Sequence, residues 1–401
     1  MANYNPTQEM QDYHVFGEFG GVNPSITDSA TFTFMTTEKM AQCFGEEVEG
    51  CFLYSRHMNP SNRFLAEQLM RMEGTEDAQV MGSGMGAITS CLMQLAKSGD
   101  EIVSSRTIYG GSYAFMKNFL PKFGVKTHFV NITSLEDVKA HINKNTKVIY
   151  CEAISNPLLE IADIRELRKI ADAHNITLVV DNTFSPLCVS PKQLGAHVVV
   201  YSMTKFINGT NDCVAGAVCG DHDFVMGMRS VVDGAAMLLG PTLDPLRAAS
   251  ILKNTRTLHL RMKKHSENAM YVAENLEKLG MKVFYPGLPS HPQHELIKSM
   301  INPEFGYSGI ITIDCKEKDK AEKFMMAMQE AKVGYFAVSL GFYKTLFSSP
   351  GSSTSSEIPQ EEQDSMGMTP GLVRFSMGID NDVKVSFDRI VECLKKVGVI
   401  K

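Results

Sequence analysis

Seven short apolar runs recur between residues 62 and 220, and this recurrence limits the possible folds more than any other feature of the chain. They read DAQVM, EIVSS, THFVN, KVIYCEAI, ITLVVD, HVVVYS and VAGAVCG. Most are separated by stretches with helical periodicity: AITSCLMQLA, GSYAFMKNFLPKF, SLEDVKAHI and ADIRELRKIADAH. A strand that is apolar on both faces must be covered on both, and helices that return the chain between parallel strands supply that cover. The pattern predicts an α/β fold around a mostly parallel sheet. In such a sheet ligands gather at the carboxyl ends of the strands, so polar residues there are the first candidates for chemistry.

Residues 1–60 are rich in Gly, Asn, Ser and Thr with little periodicity. They read as an extended arm, which needs another surface to lie on. Residues 61–255 make the α/β unit and 256–401 a smaller α+β unit. Helical patterning through DPLRAASILKNTRTLHLRMKKHSENAMYVAENLEKLG predicts one long helix from about 244 to 280 that links them. The expected strands beyond it are KVFYP, GIITIDC, GYFAVSL and LVRFSMGI. The expected helices are KDKAEKFMMAMQEA and VSFDRIVECLKKVG, the second capped at Asn381 or Asp382. SSPGSSTSSEIPQEEQDSMG reads as a long surface loop.

Net charge and hydropathy narrow the partners. A net charge of −6 gives no basic footprint for nucleic acid. No apolar run approaches a membrane span, and MANYNPTQEMQDYH lacks the basic and apolar parts of a signal peptide. A soluble cytoplasmic protein acting on a small molecule is expected. The nine cysteines are scattered without a CxxC pair, so they read as reduced thiols. HPQHE at 291–295 has the wrong order for a zinc HExxH motif, and no metal is expected.

Four strand ends carry polar residues. MGSGMGA at 81–87 places Ser83, Gly84 and Met85 where a strand gives way to a helix, a turn that offers N–H groups to a phosphate. Its Gly82, Gly84 and Ala87 also fit a dinucleotide pattern, but EIVSSR lacks the acid that pattern wants on the next strand. A dinucleotide-binding oxidoreductase and a non-catalytic scaffold are thus the alternatives of other classes. LVVDNTF ends a strand on Asp181, CEAISNP ends in Asn156-Pro157, and SMTKFING places Lys205 after Ser202 and Thr204. Taken singly, Asp181 can cap a turn and Lys205 can reach solvent. Together, a phosphate loop, a strand-end Asp and a strand-end Lys are what pyridoxal 5'-phosphate requires. The amine forms a Schiff base with the aldehyde, and the carboxylate keeps the ring nitrogen protonated.

With these residues in place the chain resembles the Cys/Met-metabolism (trans-sulfuration) family of pyridoxal-phosphate enzymes, from about residue 16 to the C-terminus. The marks are YSRHMNP (54–60), SGM (83–85), YGG (109–111), SNP (155–157), DNTF (181–184), SMTKFING (202–209), SLG (339–341) and VRFSMGID (373–380). The resemblance implies the aspartate-aminotransferase type of fold (fold type I), with a seven-stranded sheet, assembled as a homotetramer of two catalytic dimers. It implies that Lys205 carries the cofactor and moves protons at the substrate Cα, and that Asp181 pairs with the ring nitrogen. Ser83, Gly84, Met85, Ser202 and Thr204 would hold the phosphate, with Tyr54 and Arg56 reaching it from the neighbouring subunit. Tyr109 would stack on the ring and protonate the leaving group, and Asn156 would contact the ring hydroxyl. Arg374, helped by Ser339, would clamp the substrate carboxylate.

Within the family few positions distinguish reactions. Val338 stands where enzymes acting on cystathionine tend to carry an acid, which favours a thioether without a distal charge. Gly111 follows the Tyr-Gly pair where many bacterial methionine γ-lyases have Cys, as in plant-type methionine γ-lyases, which GCFLYSRH and LLGPT also resemble. The expected reaction is α,γ-elimination of L-methionine to methanethiol, 2-oxobutanoate and ammonia. O-acetylhomoserine sulfhydrylase and cystathionine γ-lyase or γ-synthase activity are the alternatives.

Overall fold

A computed structural model describes residues 4–45, 48–353 and 358–401. All seven expected strands form: β1 (Asp77–Met81), β2 (Glu101–Ser105), β3 (Lys126–Val130), β4 (Thr146–Glu152), β5 (Thr177–Asp181), β6 (Val198–Ser202) and β7 (Gly216–Gly220). They make one sheet in the order β1-β7-β6-β5-β4-β2-β3. Strands β3, β2, β4, β5 and β6 run parallel, whereas β7 pairs antiparallel with both β6 and β1. Buried apolar residues pack on both faces. Val103, Ile149, Leu178, Val180 and Val199 belong to one core, and Ile102, Val148, Val179 and Val200 to another. The alternation of the two sets along each strand is why these runs read as continuously apolar.

The register decides which residues meet at the carboxyl ends. Glu152 pairs with Asp181 across β4 and β5, Asp181 with Val200 across β5 and β6, and Ser202 with Gly216 across β6 and β7. The helix Gly84–Leu95 begins directly after β1, capped by the Ser83 side chain, which accepts from Gly86 N–H at 2.8 Å.

A second sheet has the order β10-β11-β12-β9-β8, from β8 (Lys282–Phe284), β9 (Ile310–Asp314), β10 (Gly334–Phe336), β11 (Thr345–Ser348) and β12 (Leu372–Ser376). Its central β12 places Arg374 between Ser348 and Thr312. The helix Val383–Lys396 starts at Asp382, one of the two expected caps, whose side chain accepts from Val385 N–H.

Five expectations are corrected. The long helix over 244–280 is two, Pro245–Thr255 and Leu258–Lys278. At the break, the Thr255 and Thr257 hydroxyls donate to the Leu252 and Asn254 carbonyls, and Arg261 donates to the same Asn254 carbonyl. Side chains thereby take over acceptors that a continuous helix would use. GYFAVSL is a strand only over Gly334–Phe336, which leaves Val338 and Ser339 in a connecting segment. The four-residue strand β11, buried along its whole length, went unassigned because a run that short shows no periodicity. The surface loop 348–367, of which 354–357 lie outside the described residues, contains the helix Gln360–Ser365. Its Ile358 and Met366, and Met368 just beyond it, are buried in the core that packs on β2 and β6. Three apolar anchors are easily lost in so polar a stretch. The arm likewise holds two short helices, Pro6–Gln11 and Thr37–Cys43. Met10 of the first is buried in the core that includes Leu65 and Leu69.

Candidate active site

The strand ends and the β10–β11 connection enclose a cleft of about 260 Å³. Ser83, Gly84, Met85, Tyr109, Asn156, Asp181, Ser202, Thr204, Lys205, Val338, Ser339 and Arg374, expected from sequence, all line it. Lys205 follows β6, and its Nζ donates to Ser339 Oγ at 3.2 Å. The Ser339 hydroxyl in turn donates to Asn211 Oδ1 at 3.0 Å. Burial, helped by the nearby Arg374 charge, pushes the Lys205 amine down to about 8. A neutral amine, the form that attacks an aldehyde, is therefore accessible near neutral pH.

Asp181 lies at the floor. Its Oδ1 accepts from Thr183 N–H at 2.9 Å and its Oδ2 from Tyr150 Oη at 3.3 Å. Burial pushes its carboxyl up from the usual range, opposed by the Thr183 and Tyr150 hydrogen bonds. Next to it Glu152 is also buried, pushed up to about 8 by burial and then by the Asp181 charge. Two buried carboxyls on neighbouring strands disfavour double ionisation, and a protonated ring nitrogen held by Asp181 would relieve that conflict.

At the other wall Arg374 is 3% exposed. Its Nη1 donates to Asn156 Oδ1 at 2.8 Å, and its guanidinium stands 5.8 Å from the Phe184 ring centre. Burial pushes the group down to about 10, against the Glu152 charge. Its Nε is buried without a hydrogen-bond partner among the described residues, so a donor is held in reserve for an acceptor in the cleft.

The phosphate-side residues converge on the start of the helix Gly84–Leu95, whose first N–H groups have no intrahelical acceptor. The space there fits only small residues. A Cβ on Gly84 would sit 2.6 Å from Ser202 Cβ, and one on Gly216 2.1 Å from the Ser83 carbonyl oxygen. Thr204 lines the cleft, but its hydroxyl donates to Ala215 O at 3.2 Å and accepts from Ala215 N–H at 3.0 Å. It is thus committed to its own loop. Tyr54 and Arg56 do not line the cleft. Both are exposed, stacked with the Arg56 guanidinium 5.5 Å from the Tyr54 ring centre.

Sequence reasoning missed Glu152, Tyr150, Thr183, Phe184 and Asn211. Glu152 stood in the quoted CEAISNP run, and its signal was a charged residue ending an otherwise apolar strand, the same signal that picked out Asp181. Thr183 and Phe184 lay inside DNTF. Tyr150 and Asn211 carry no such mark, because only the folded register brings them in.

An amine with lowered basicity, a buried strand-end carboxylate, a helix start cradled by glycines and a buried guanidinium with a spare donor fit pyridoxal 5'-phosphate. Comparison with known proteins agrees. The chain is 46% identical over 371 residues to a methionine gamma-lyase of Arabidopsis thaliana, covering 91% of this chain and 84% of that protein. It is 34% identical over 379 residues to an O-succinylhomoserine sulfhydrylase of Pseudomonas aeruginosa, covering 93% and 91%. A Campylobacter jejuni crystal structure, which holds N'-pyridoxyl-lysine-5'-monophosphate at its own position 205, superposes with a TM-score of 0.92 at 27% identity and covers 98% of this chain and 100% of that one. The family model for Cys/Met metabolism PLP-dependent enzymes matches residues 7–389, and the chain belongs to that family.

Proposed function

We propose that the protein catalyses α,γ-elimination of L-methionine, in which methionine and water give methanethiol, 2-oxobutanoate and ammonia. The bound cofactor supplies the electron sink for charge that develops beside the amino carbon. Lys205 removes the Cα proton, a role supported by its lowered basicity and its place in the cleft. Arg374 binds the carboxylate, for which its buried, unpaired Nε supplies a donor. Tyr109, a residue 42% exposed at the cleft wall, delivers a proton to the leaving sulfur.

The single observation that carries the choice of methionine is Val338. It is 59% exposed in the lining beside Ser339, and it offers a thioether methyl an apolar wall with no group to pair a distal charge. We further assign the active unit to a catalytic dimer within a homotetramer, with Tyr54 and Arg56 completing the neighbour's phosphate site. Their exposure and their absence from the lining of their own cleft support this.

The test is release of 2-oxobutanoate from L-methionine by cofactor-loaded protein with no thiol added. Prompt release is expected. Silence with methionine, together with homocysteine formation from O-acetylhomoserine and sulfide, would transfer the assignment to a sulfhydrylase, the chemistry carried in the name of the Pseudomonas aeruginosa relative.

A further inference from the structure

We propose that Glu152 is a positioning residue that fixes the Tyr109 ring and the Arg374 guanidinium relative to each other. Its Oε1 accepts from Tyr109 N–H at 2.8 Å and its Oε2 from Asn156 N–H at 2.8 Å. These two N–H groups belong to different loops. Tyr109 opens the helix Gly110–Ala114 beyond β2, and Asn156 lies in the turn beyond β4. Asn156 then accepts from Arg374 Nη1 at 2.8 Å, so the chain of contacts crosses to the second sheet. One carboxylate thereby ties the loop that carries the phenol to the residue that holds the guanidinium.

This arrangement does not serve stability cheaply. Glu152 is 7% exposed beside Asp181 on the adjacent strand, and a buried carboxylate next to another is unfavourable. What it offers is two acceptors on a rigid strand end, set where two loops must be held at once. An amide cannot replace it, because a glutamine has one acceptor oxygen and would turn its NH2 group against the second N–H. The consequence for the reaction rests on the reading that Arg374 anchors the substrate carboxylate and Tyr109 protonates its sulfur. The spacing of those groups must then suit the length of the substrate, and loosening it misplaces the proton donor without removing it.

The experiment compares Glu152→Gln and Glu152→Asp with wild type as holoenzymes, on whichever substrate the wild type turns over. It reads kcat and KM per bound cofactor and the visible circular dichroism of the cofactor. Glu152→Gln is expected to lower kcat by roughly 10- to 100-fold with a smaller change in KM. The cofactor should remain bound and its dichroic band should change. Glu152→Asp keeps two acceptors and should recover part of the loss; it also carries the test if the glutamine variant does not fold. Unchanged kcat, KM and dichroism in folded Glu152→Gln would overturn the proposal; where that variant does not fold, the same result in Glu152→Asp, whose shorter carboxylate cannot meet both N–H groups unstrained, would overturn it. So would lower thermal stability with normal turnover per bound cofactor, which would make the carboxylate a structural strut only. Wild-type protein that binds cofactor but leaves methionine intact would refute the methionine assignment and leave the Glu152 comparison standing on the replacement substrate.

Discussion

The strand-end cluster and the N-terminal arm obey opposite rules. Around the cleft, Lys205, Asp181, Glu152 and Arg374 are each held by a hydrogen bond from the same chain, and three of them are nearly or fully buried against its core. In the arm, Phe16, Phe19, Val22 and Met35 expose 74%, 105%, 87% and 95% of their surface. Apolar side chains so exposed contribute nothing to the stability of one chain and gain about 25 cal/mol for each Å² they later bury. The cluster is therefore held together within one chain, whereas the proposed place of the arm is on a neighbouring chain, whose phosphate site Tyr54 and Arg56 would complete.

The hardest blow to the cluster is Lys205→Ala. Turnover should fall more than about 1,000-fold, because the acid–base group and the cofactor tether leave together. The fold should survive, since among the described residues the side chain makes only the one hydrogen bond to Ser339 given above. Loss of the visible cofactor band with unchanged far-ultraviolet dichroism would match this expectation. Substantial remaining turnover would remove Lys205 from the mechanism.

The two regions also differed in how far the sequence could be read. The cluster was legible because a charged residue at the end of an apolar run is costly to bury, so Asp181 and Lys205 stand out without any structure. Arg374 was legible only through family resemblance; by itself an arginine in a half-polar strand is unremarkable, and its burial comes from the packing of β12 between β9 and β11. Asn211 was invisible, since its contact with Ser339 joins residues far apart in the chain. The break after Thr255 depended on competing side-chain hydrogen bonds, which apolar periodicity does not encode. For the arm, low periodicity suggested a segment without its own core and gave no sign of the short helix that Asn5 caps and Met10 anchors.

The division of labour can be tested by mixing. Tyr54→Ala alone should weaken cofactor retention roughly 10-fold. Co-expressed with Lys205→Ala, random pairing makes half of the dimers mixed, each with one site that has both its own lysine and its neighbour's tyrosine. At cofactor concentrations too low to load Tyr54→Ala homodimers, activity should return to about a quarter of the wild-type value. No recovery would break the comparison drawn above, because the arm would then serve its own chain.

The smallest effect sharpens it. Cofactor capture by the apoprotein needs the neutral Lys205 amine, so its rate rises with pH and levels off above the folded pKa, near 8. Between pH 8 and 9 the neutral fraction rises less than about twofold, where an ordinary lysine would show about tenfold. The same burial makes the cofactor-free fold gain stability as pH rises from about 8 towards 10.5, because in that window the unfolded chain still holds the proton that the folded chain has released. Burial and the Arg374 charge, both supplied by the lysine's own chain, cause the lowering. Arg56→Ala should therefore leave the midpoint of the capture profile in place while reducing how long the cofactor stays. A midpoint that climbs towards the ordinary lysine value in that variant would mean that the arm of the second chain helps to bury the amine, and that the cluster is less self-sufficient than its own contacts make it.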